Sequence, residues 1–374
     1  MHLAPTPEQQ AVREQARRFL AAELTRERRL AWDASPEGHD AAFWRAVADL
    51  GWLGFALPER YGGQDASLAD LGMLLEETGR AVAPFGVFAA IAGGLALAEI
   101  GTDAQRTAWL PRVARGEAQV ALAVAEAEAV LNPAALRTAL VRRGGGLVVS
   151  GEKRWVLQGQ TADAFLVAAR DDGGVSVVLV PRDAREVRVE PSATLGKDRQ
   201  ATLALADVAL PADACCGEPG RAWPALERLR RTFAALACVQ GVSGAEAVLE
   251  MTVRHVCERE QFGAKLGTFQ AVQQMVAVMA VELEGARHVA RQAVWRLSEG
   301  LPAEREVAIA KAWAARAYRD VCLLGHQLHG GAGYVVEHEL HRHTLRAQEL
   351  VLLFGSTEEW LDDLADRLDL VPPG

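Results

Sequence analysis

From Thr6 to about Gly116 apolar residues recur at three- and four-residue spacing, the period of helices that bury one face. The stretch TPEQQAVREQARRFLAAEL opens on Thr6 with Gln9 three residues later, a capping-box start. Pro58, Gly62 and Gly63 interrupt the helical pattern in LPERYGGQDASLADL, and Ser67 is placed to cap the helix that follows. Between about Val120 and Ala214 the period changes. LVVSGEKRWVL, ADAFLVAAR, VSVVLVP and ATLALADVALP read as strands separated by Gly, Pro and Asp clusters. After CCGEPG the helical period returns and holds to Leu370, broken mainly at GTFQ, EGLP and HGGAGY, which predicts three or four long antiparallel helices in a bundle. The fold class is α+β, with an α-helical region over 1–118, a β region over 119–222 and a helical bundle over 223–374.

Composition narrows the choice of partner. A chain of 374 residues with 50% hydrophobic content buries a substantial core. Its net charge of −9 gives no electrostatic footprint for nucleic acid or an anionic membrane surface, so small-molecule or protein partners are expected. Five cysteines with no CxxC spacing, lying mostly inside apolar helical patterns, suit buried thiols in a reducing compartment, hence a cytoplasmic address. Met1 leads directly into an amphipathic segment rather than a signal sequence, and no apolar run approaches the roughly 20 residues that span a bilayer.

Two stretches carry candidate chemistry. In CEREQFGAKLGTFQAVQQ, Arg259 ends a long helix, Gln261, Phe262 and Gly263 form a turn, and Gln270 and Gln273 begin the next helix. An Arg beside such a turn can fork onto a pyrophosphate while neighbouring amides reach the same oxygens. In GHQLHGGAGYVVEHELHR, Gln327 precedes Gly330, Gly331 and Gly333, where the missing Cβ lets a ligand approach the backbone. His338, His341 and His343 invite a metal reading. However, HELHRH has Arg342 where the HExxH zinc motif needs its second His, so solvated surface histidines and no metal are expected.

WRAVADLGWLGFALPERYGG, GTDAQRTAWLPRVARGE, SGEKRWVLQGQTADAFLVAAR, REQFGAKLGTFQAVQ and QLHGGAGY stand in the order and spacing of acyl-CoA dehydrogenases, and the chain resembles that family along essentially its whole length. The resemblance implies an N-terminal helical domain, a central β-barrel or sandwich and a C-terminal four-helix bundle. It also implies assembly as a tetramer built from dimers, with FAD at each dimer interface. In that family a Glu removes the α-proton of an acyl-CoA thioester while the β-hydride passes to flavin N5, and electrons leave through an electron-transfer flavoprotein.

Against that pattern this chain departs at the base. In the commonest subgroup the Glu immediately precedes a Gly-Thr or similar pair, and ungapped counting from Gly331 puts that position on Phe354, before Gly355 and Ser356. A second subgroup, including the isovaleryl enzymes, carries the Glu on the helix leading to Arg259, at or near Phe233. Neither residue accepts a proton, and no catalytic residue is assigned. Glu227, Glu358 and Glu359 are the nearby candidates for a displaced base, and each reads as an exposed helix-surface carboxylate. The β region is altered as well. Where relatives carry a Thr-Glu pair near the flavin this chain reads Val124, Ala125, Glu126. Where they carry Trp-Ile-Thr, with the Thr hydroxyl on flavin N5, it reads Trp155, Val156, Leu157. AEAEAVLNPAAL replaces the usual Gly-Ser-Asp.

The losses fall on residues that would serve the chain's own flavin. The residues offered to a neighbour's FAD (Arg259, Gln261, Phe262, Gln270, Gln327, Gly330, Gly331) remain. That division is similar to the heteromeric α2β2 acyl-CoA dehydrogenases of bacterial steroid side-chain breakdown, in which one polypeptide supplies the base. The resemblance implies a second acyl-CoA dehydrogenase-like subunit as partner and, by analogy, a bulky polycyclic acyl-CoA as substrate. A homomeric flavin monooxygenase on the same scaffold, which needs no α-proton base, and a flavin-free scaffold member are the alternatives.

Overall fold

In the computed structural model the described residues are 4–127 and 132–368. Six α-helices come first: α1 (Pro7–Glu23), α2 (Arg26–Ala34), α3 (Ala41–Asp49), α4 (Leu68–Arg80), α5 (Gly86–Ile100) and α6 (Asp103–Ala114). Strands follow: β1 (Val120–Ala123), β2 (Ala139–Arg143), β3 (Gly146–Leu157), β4 (Ala164–Asp171), β5 (Gly174–Pro181), β6 (Val187–Ser192), β7 (Gln200–Leu210) and β8 (Cys215–Cys216). The rest is α7 (Trp223–Glu258), the hairpin β9 (Glu260–Gln261) and β10 (Ala264–Lys265), α8 (Gln270–Ser298), α9 (Glu304–His329), α10 (Leu340–Leu352) and α11 (Thr357–Arg367). Helix starts are written locally: Thr6 with Gln9, Ser67 with Asp70, Thr102 with Gln105 and Ser356 with Glu359 each close a capping box.

The described residues divide into two compact units. One comprises the described residues within 1–24, 67–83 and 231–374. Here α9 packs against α8, α10 and α11, while α4 packs against α1 and α8. Two buried carboxylates on α4 need partners, because an unpaired buried charge is costly. Glu77 takes hydrogen bonds from Arg13 and Arg17, and Glu76 takes a two-pronged one from Arg291 at 2.8 and 2.9 Å. Gly79 lets α4 touch α7, since a Cβ there would lie 1.9 Å from the Gln240 carbonyl oxygen. Contrary to the sequence expectation, α7 is long and apolar enough to cross a bilayer by length and composition. Its apolar stretch is mostly buried within the protein, as a core helix is.

The second unit comprises Thr25–Ala66 and Pro84–Arg230. Its eight-stranded sheet runs β6-β7-β3-β2-β4-β5-β8, with β1 added parallel to β4. Val149, Phe165, Val167, Val178, Leu203 and Val208 form the centre of its core. The four strands read from the sequence are β3, β4, β5 and β7. β6 carries Pro191, which cannot donate to a ladder on both sides, and it lies at the end of the sheet where that costs nothing. Cys215 and Cys216 sit on β8 rather than in a helix, and Cys257 is exposed while the other four cysteines are buried.

Within this sheet the ammonium of Lys153 is fully buried and donates to Glu126 Oε1 at 2.7 Å and to the Val124 carbonyl at 3.0 Å. Burial pulls Lys153 down to about 8, and Glu126 opposes that fall. Burial alone would raise Glu126, but Lys153, the Thr138 hydroxyl and the Arg137 amide together hold it below the usual carboxylate range. Replacing Glu126 by Ala strands the ammonium, so Glu126→Ala is expected to cost about 3–5 kcal/mol in urea denaturation. The paired change Glu126→Leu with Lys153→Met, which removes both charges, should cost much less.

Candidate functional site

The chain leaves α7 through a tight reversal. Arg259 N–H donates to the His255 carbonyl at 2.8 Å, and Leu266 N–H closes back onto the Arg259 carbonyl at 2.9 Å. Gln261 pairs with Ala264 across the hairpin, which leaves Phe262 and Gly263 as a two-residue loop with φ of +55° and +78°. Both signs are those of a type I′ turn, a position that favours Asn or Gly and costs a bulky residue about 1–2 kcal/mol. Phe262 gains little in return from this chain. Its ring is 90% exposed and meets only the edge of Phe269 at 6.3 Å among the ring contacts. Gln261 donates to the Glu260 carbonyl and Gln273 to the Gly267 carbonyl, while Gln270 opens α8 on the exposed side.

At the far end of α9, Gly330 ends the helix with φ +59°, its N–H on the His326 carbonyl. A Cβ at Gly330 or Gly331 would meet nothing within 4 Å, so these glycines form an open backbone face. The His255 and His329 rings stack at 4.2 Å, which brings the Arg259 hairpin and the glycine loop to the same end of the bundle. Arg259, Gln261, Phe262, Gln270, Gln327, Gly330 and Gly331 are all exposed. The donor set fits a diphosphate-bearing dinucleotide: a guanidinium for bidentate contact, carboxamides, an open glycine backbone and a ring to stack or cover.

The position counted for the base lies between α10 and α11. Lys311, fully buried on α9, donates to the carbonyls of Leu350 (2.7 Å), Val351 (3.4 Å) and Gly355 (2.8 Å). Trp360 Nε1 donates to the Phe354 carbonyl at 3.2 Å. Phe354 is thereby held at φ +59°, and its ring lies 5.7 Å from that of Phe233, which is 1% exposed. The two positions that ungapped counting picked out for a base are therefore neighbours in space, and two phenyl rings fill them. Of the displaced candidates, Glu358 and Glu359 are exposed as expected, whereas Glu227 is half-buried. Glu227 pairs with Arg230 one turn on, Glu359 caps α11 through Ser356, and Glu358 is exposed on the first turn of that helix.

In the β unit, Val124 and Ala125 lie just beyond β1 rather than in it, and the Ala125 carbonyl accepts from Arg154 N–H at 2.9 Å. Glu126 belongs to the buried Lys153 pair. Trp155 occupies the bulge between Lys153 and Val156 at φ +54°, half exposed, and Leu157 ends β3. Neither Ala125 nor Leu157 offers a side-chain donor. Residues 128–131 of the AEAEAVLNPAAL stretch lie outside the described residues.

The histidines correct the sequence expectation of a solvated surface. His343 is buried with Nδ1 2.9 Å from the Tyr318 hydroxyl, and His338 and His341 are half-buried. Among the described residues no group of three or more His, Cys, Asp or Glu is placed to hold a metal ion. Sequence reasoning passed over His255, His326 and His329, whose only signal was a helical spacing that brings rings to the glycine-loop end of the bundle.

With fold and site in view, known proteins give a consistent frame. The chain matches the acyl-CoA dehydrogenase N-terminal domain over residues 6–117, the middle domain over 121–208 and the C-terminal domain over 226–368. It belongs to the acyl-CoA dehydrogenase family, the FAD-dependent oxidoreductases that act on acyl-CoA thioesters. Among its relatives, a probable acyl-CoA dehydrogenase, YngJ of Bacillus subtilis, is 30% identical over 96% of this chain and 97% of its own. Among solved structures, the ChsE4-ChsE5 complex from Mycobacterium tuberculosis matches with a TM-score of 0.90 at 27% identity, covering both chains completely. A single-substitution variant of the Tcur3481-Tcur3483 steroid ACAD matches with a TM-score of 0.87 at 31% identity, covering 97% of this chain and 98% of that one.

The strain at Phe262 gives a direct check. Phe262→Gly is expected to stabilise the isolated chain by about 1 kcal/mol in urea denaturation, because glycine adopts the left-handed conformation freely. The same change should weaken any assembly that covers the ring. Destabilisation of the isolated chain would mean that the ring is packed by the chain itself.

Proposed function

We propose that this chain is the base-less subunit of a heteromeric FAD-dependent acyl-CoA dehydrogenase, completing the FAD site of a second acyl-CoA dehydrogenase-like subunit in an α2β2 assembly. The observation that carries the reading is the Phe233–Phe354 contact, two phenyl rings at the two positions counted for a base, neither of which accepts a proton. The exposed set Arg259, Gln261, Phe262, Gln270, Gln327, Gly330 and Gly331 supports the second half, since it presents anion-binding donors outward from a chain whose own flavin-side residues, Ala125 and Leu157, carry no donor. Similarity to the two-chain ChsE4-ChsE5 complex and to the Tcur3481-Tcur3483 steroid ACAD supports a heteromer and a bulky, steroid-type acyl-CoA.

In this reading Arg259 and the Gly330–Gly331 backbone hold the diphosphate, with Gln270 and Gln327 beside them and Phe262 covered by the partner. Bound FAD supplies the hydride acceptor. The α-proton goes to a base on the partner, because Phe233 and Phe354 cannot take it. Reduced cofactor would pass its electrons to an electron-transfer flavoprotein, and free buried thiols suit a cytoplasmic setting.

Two substitutions test the reading. Arg259→Ala in the co-purified complex is expected to weaken flavin retention about 10-fold or more while native mass stays unchanged. Unaltered flavin content would remove Arg259 from the cofactor site. Phe354→Glu in the chain alone is expected to give no acyl-CoA dehydrogenation, whereas measurable turnover from that homomer would contradict the division of labour.

A further inference from the structure

Four imidazoles crowd the end of the bundle beneath the glycine loop. His255 on α7 stacks on His329 at 4.2 Å with 25° between planes, and His338 meets His329 edge-on at 4.6 Å. His326 stacks on Tyr334 at 4.3 Å. Gly333 packs into the same group: a Cβ there would lie 3.1 Å from His329 Cβ and 3.2 Å from His326 Nδ1. His255 is one helical turn before Arg259, and His329 directly precedes Gly330. Chain leaving α9 as the glycine loop is thus gripped on both sides, by Tyr334 on His326 and by His338 on His329.

The hydrogen bonds identify these rings as packing groups. His329 is only 6% exposed, and neither ring nitrogen has a hydrogen-bond partner. The Thr344 hydroxyl donates to the Leu340 carbonyl, so His326 Nε2 donates to Thr344 at 2.7 Å and its Nδ1 is a bare, unpartnered nitrogen. His338 Nδ1 accepts from Leu340 N–H at 3.2 Å. A proton added to His329 would find no acceptor and would face further histidines.

Resting on the cofactor-completing reading above, we propose that His329, with His255 stacked on one side and His338 edge-on, is a positioning residue that clamps the Arg259 hairpin to the Gly330–Gly331 loop and so holds the two halves of the diphosphate cradle in register. The clamp works as a stack of neutral rings. Burial first, then His255, His338 and His326, push His329 down to about 4 from its ordinary 6.5. Burial and neighbouring charges also lower His255, His326 and His338. The charged groups facing the cluster are Arg259 and Glu258 from the end of α7, His326 from α9, and His338, Glu339 and His341 from the segment entering α10. Only Glu258 and Glu339 oppose the repulsion. The sign follows from linkage. The folded clamp refuses a proton that the open chain accepts below 6.5, so the clamp is intact above 6.5 and weakens as pH falls from there toward 4.

Hydrogen exchange of the full chain, in the assembly it forms, tests this without depending on flavin. Protection in 259–266 and 330–338, corrected for intrinsic exchange, is expected to fall together about 10-fold between about pH 7.5 and about pH 5. His329→Phe keeps the stack, loses no hydrogen bond and cannot be charged, so it should lose markedly less protection at about pH 5 than the wild type does. His329→Ala should lose it at both. Protection in the wild type that does not change with pH, or a Phe variant that loses it as the wild type does, overturns the clamp. Paired loss in a chain that proves homomeric supports the clamp and removes only the heteromer reading.

Discussion

The buried ammonium of Lys311 fixes the part of the molecule on which the functional account depends. The last carbonyls of a helix have no partner within it, and a cation at that end satisfies them and complements the helix dipole. Lys311 does this for Leu350 and Val351 at the end of α10, and its bond to Gly355 carries the restraint into the following loop. The Ser356–Glu359 capping box then starts α11, and Trp360 returns a hydrogen bond to Phe354. Between these anchors Phe354 has little freedom. Its ring meets that of Phe233.

Two phenylalanines in left-handed conformations divide the molecule's roles. Phe354 is strained and its ring meets another ring, within a loop held by three carbonyl bonds. Phe262 is strained too, on a two-residue turn with its ring open to solvent. Strain of this kind persists where the surroundings over-determine it or where function uses it. For Phe354 the surroundings are within the chain. For Phe262 no packing of the ring within the chain offsets the strain, and the ring and the donors around it are exposed.

Much of this was legible in the sequence. The capping box at Thr6, the helix cap at Ser67, the change of period near Val120 and the strands β3, β4, β5 and β7 follow from local rules, and those rules hold. Short or irregular strands were not legible: β2 carries two arginines, β6 a proline, and β8 only two residues, so none shows a clean alternation. The hairpin and the glycine loop lie where the sequence put them, between α7 and α8 and after α9. That Phe233 and Phe354 touch could not be read from either helix alone, because about 120 residues separate them and only tertiary packing brings them together. The same holds for the histidine stack. Its members come from α7, α9 and the segment before α10, and although His329 lies in QLHGGAGY and His338 in HELHRH, neither stretch signals a ring stack.

The most direct test of the central claim is native mass together with flavin absorbance, measured on this chain purified alone and again after co-expression with acyl-CoA dehydrogenase-like chains encoded beside it. The account predicts a colourless or unstable lone chain and, with the right partner, a yellow tetramer carrying about one FAD for every two chains. A yellow homotetramer of this chain with full flavin occupancy would contradict it and would direct attention to oxygen-dependent flavin chemistry instead.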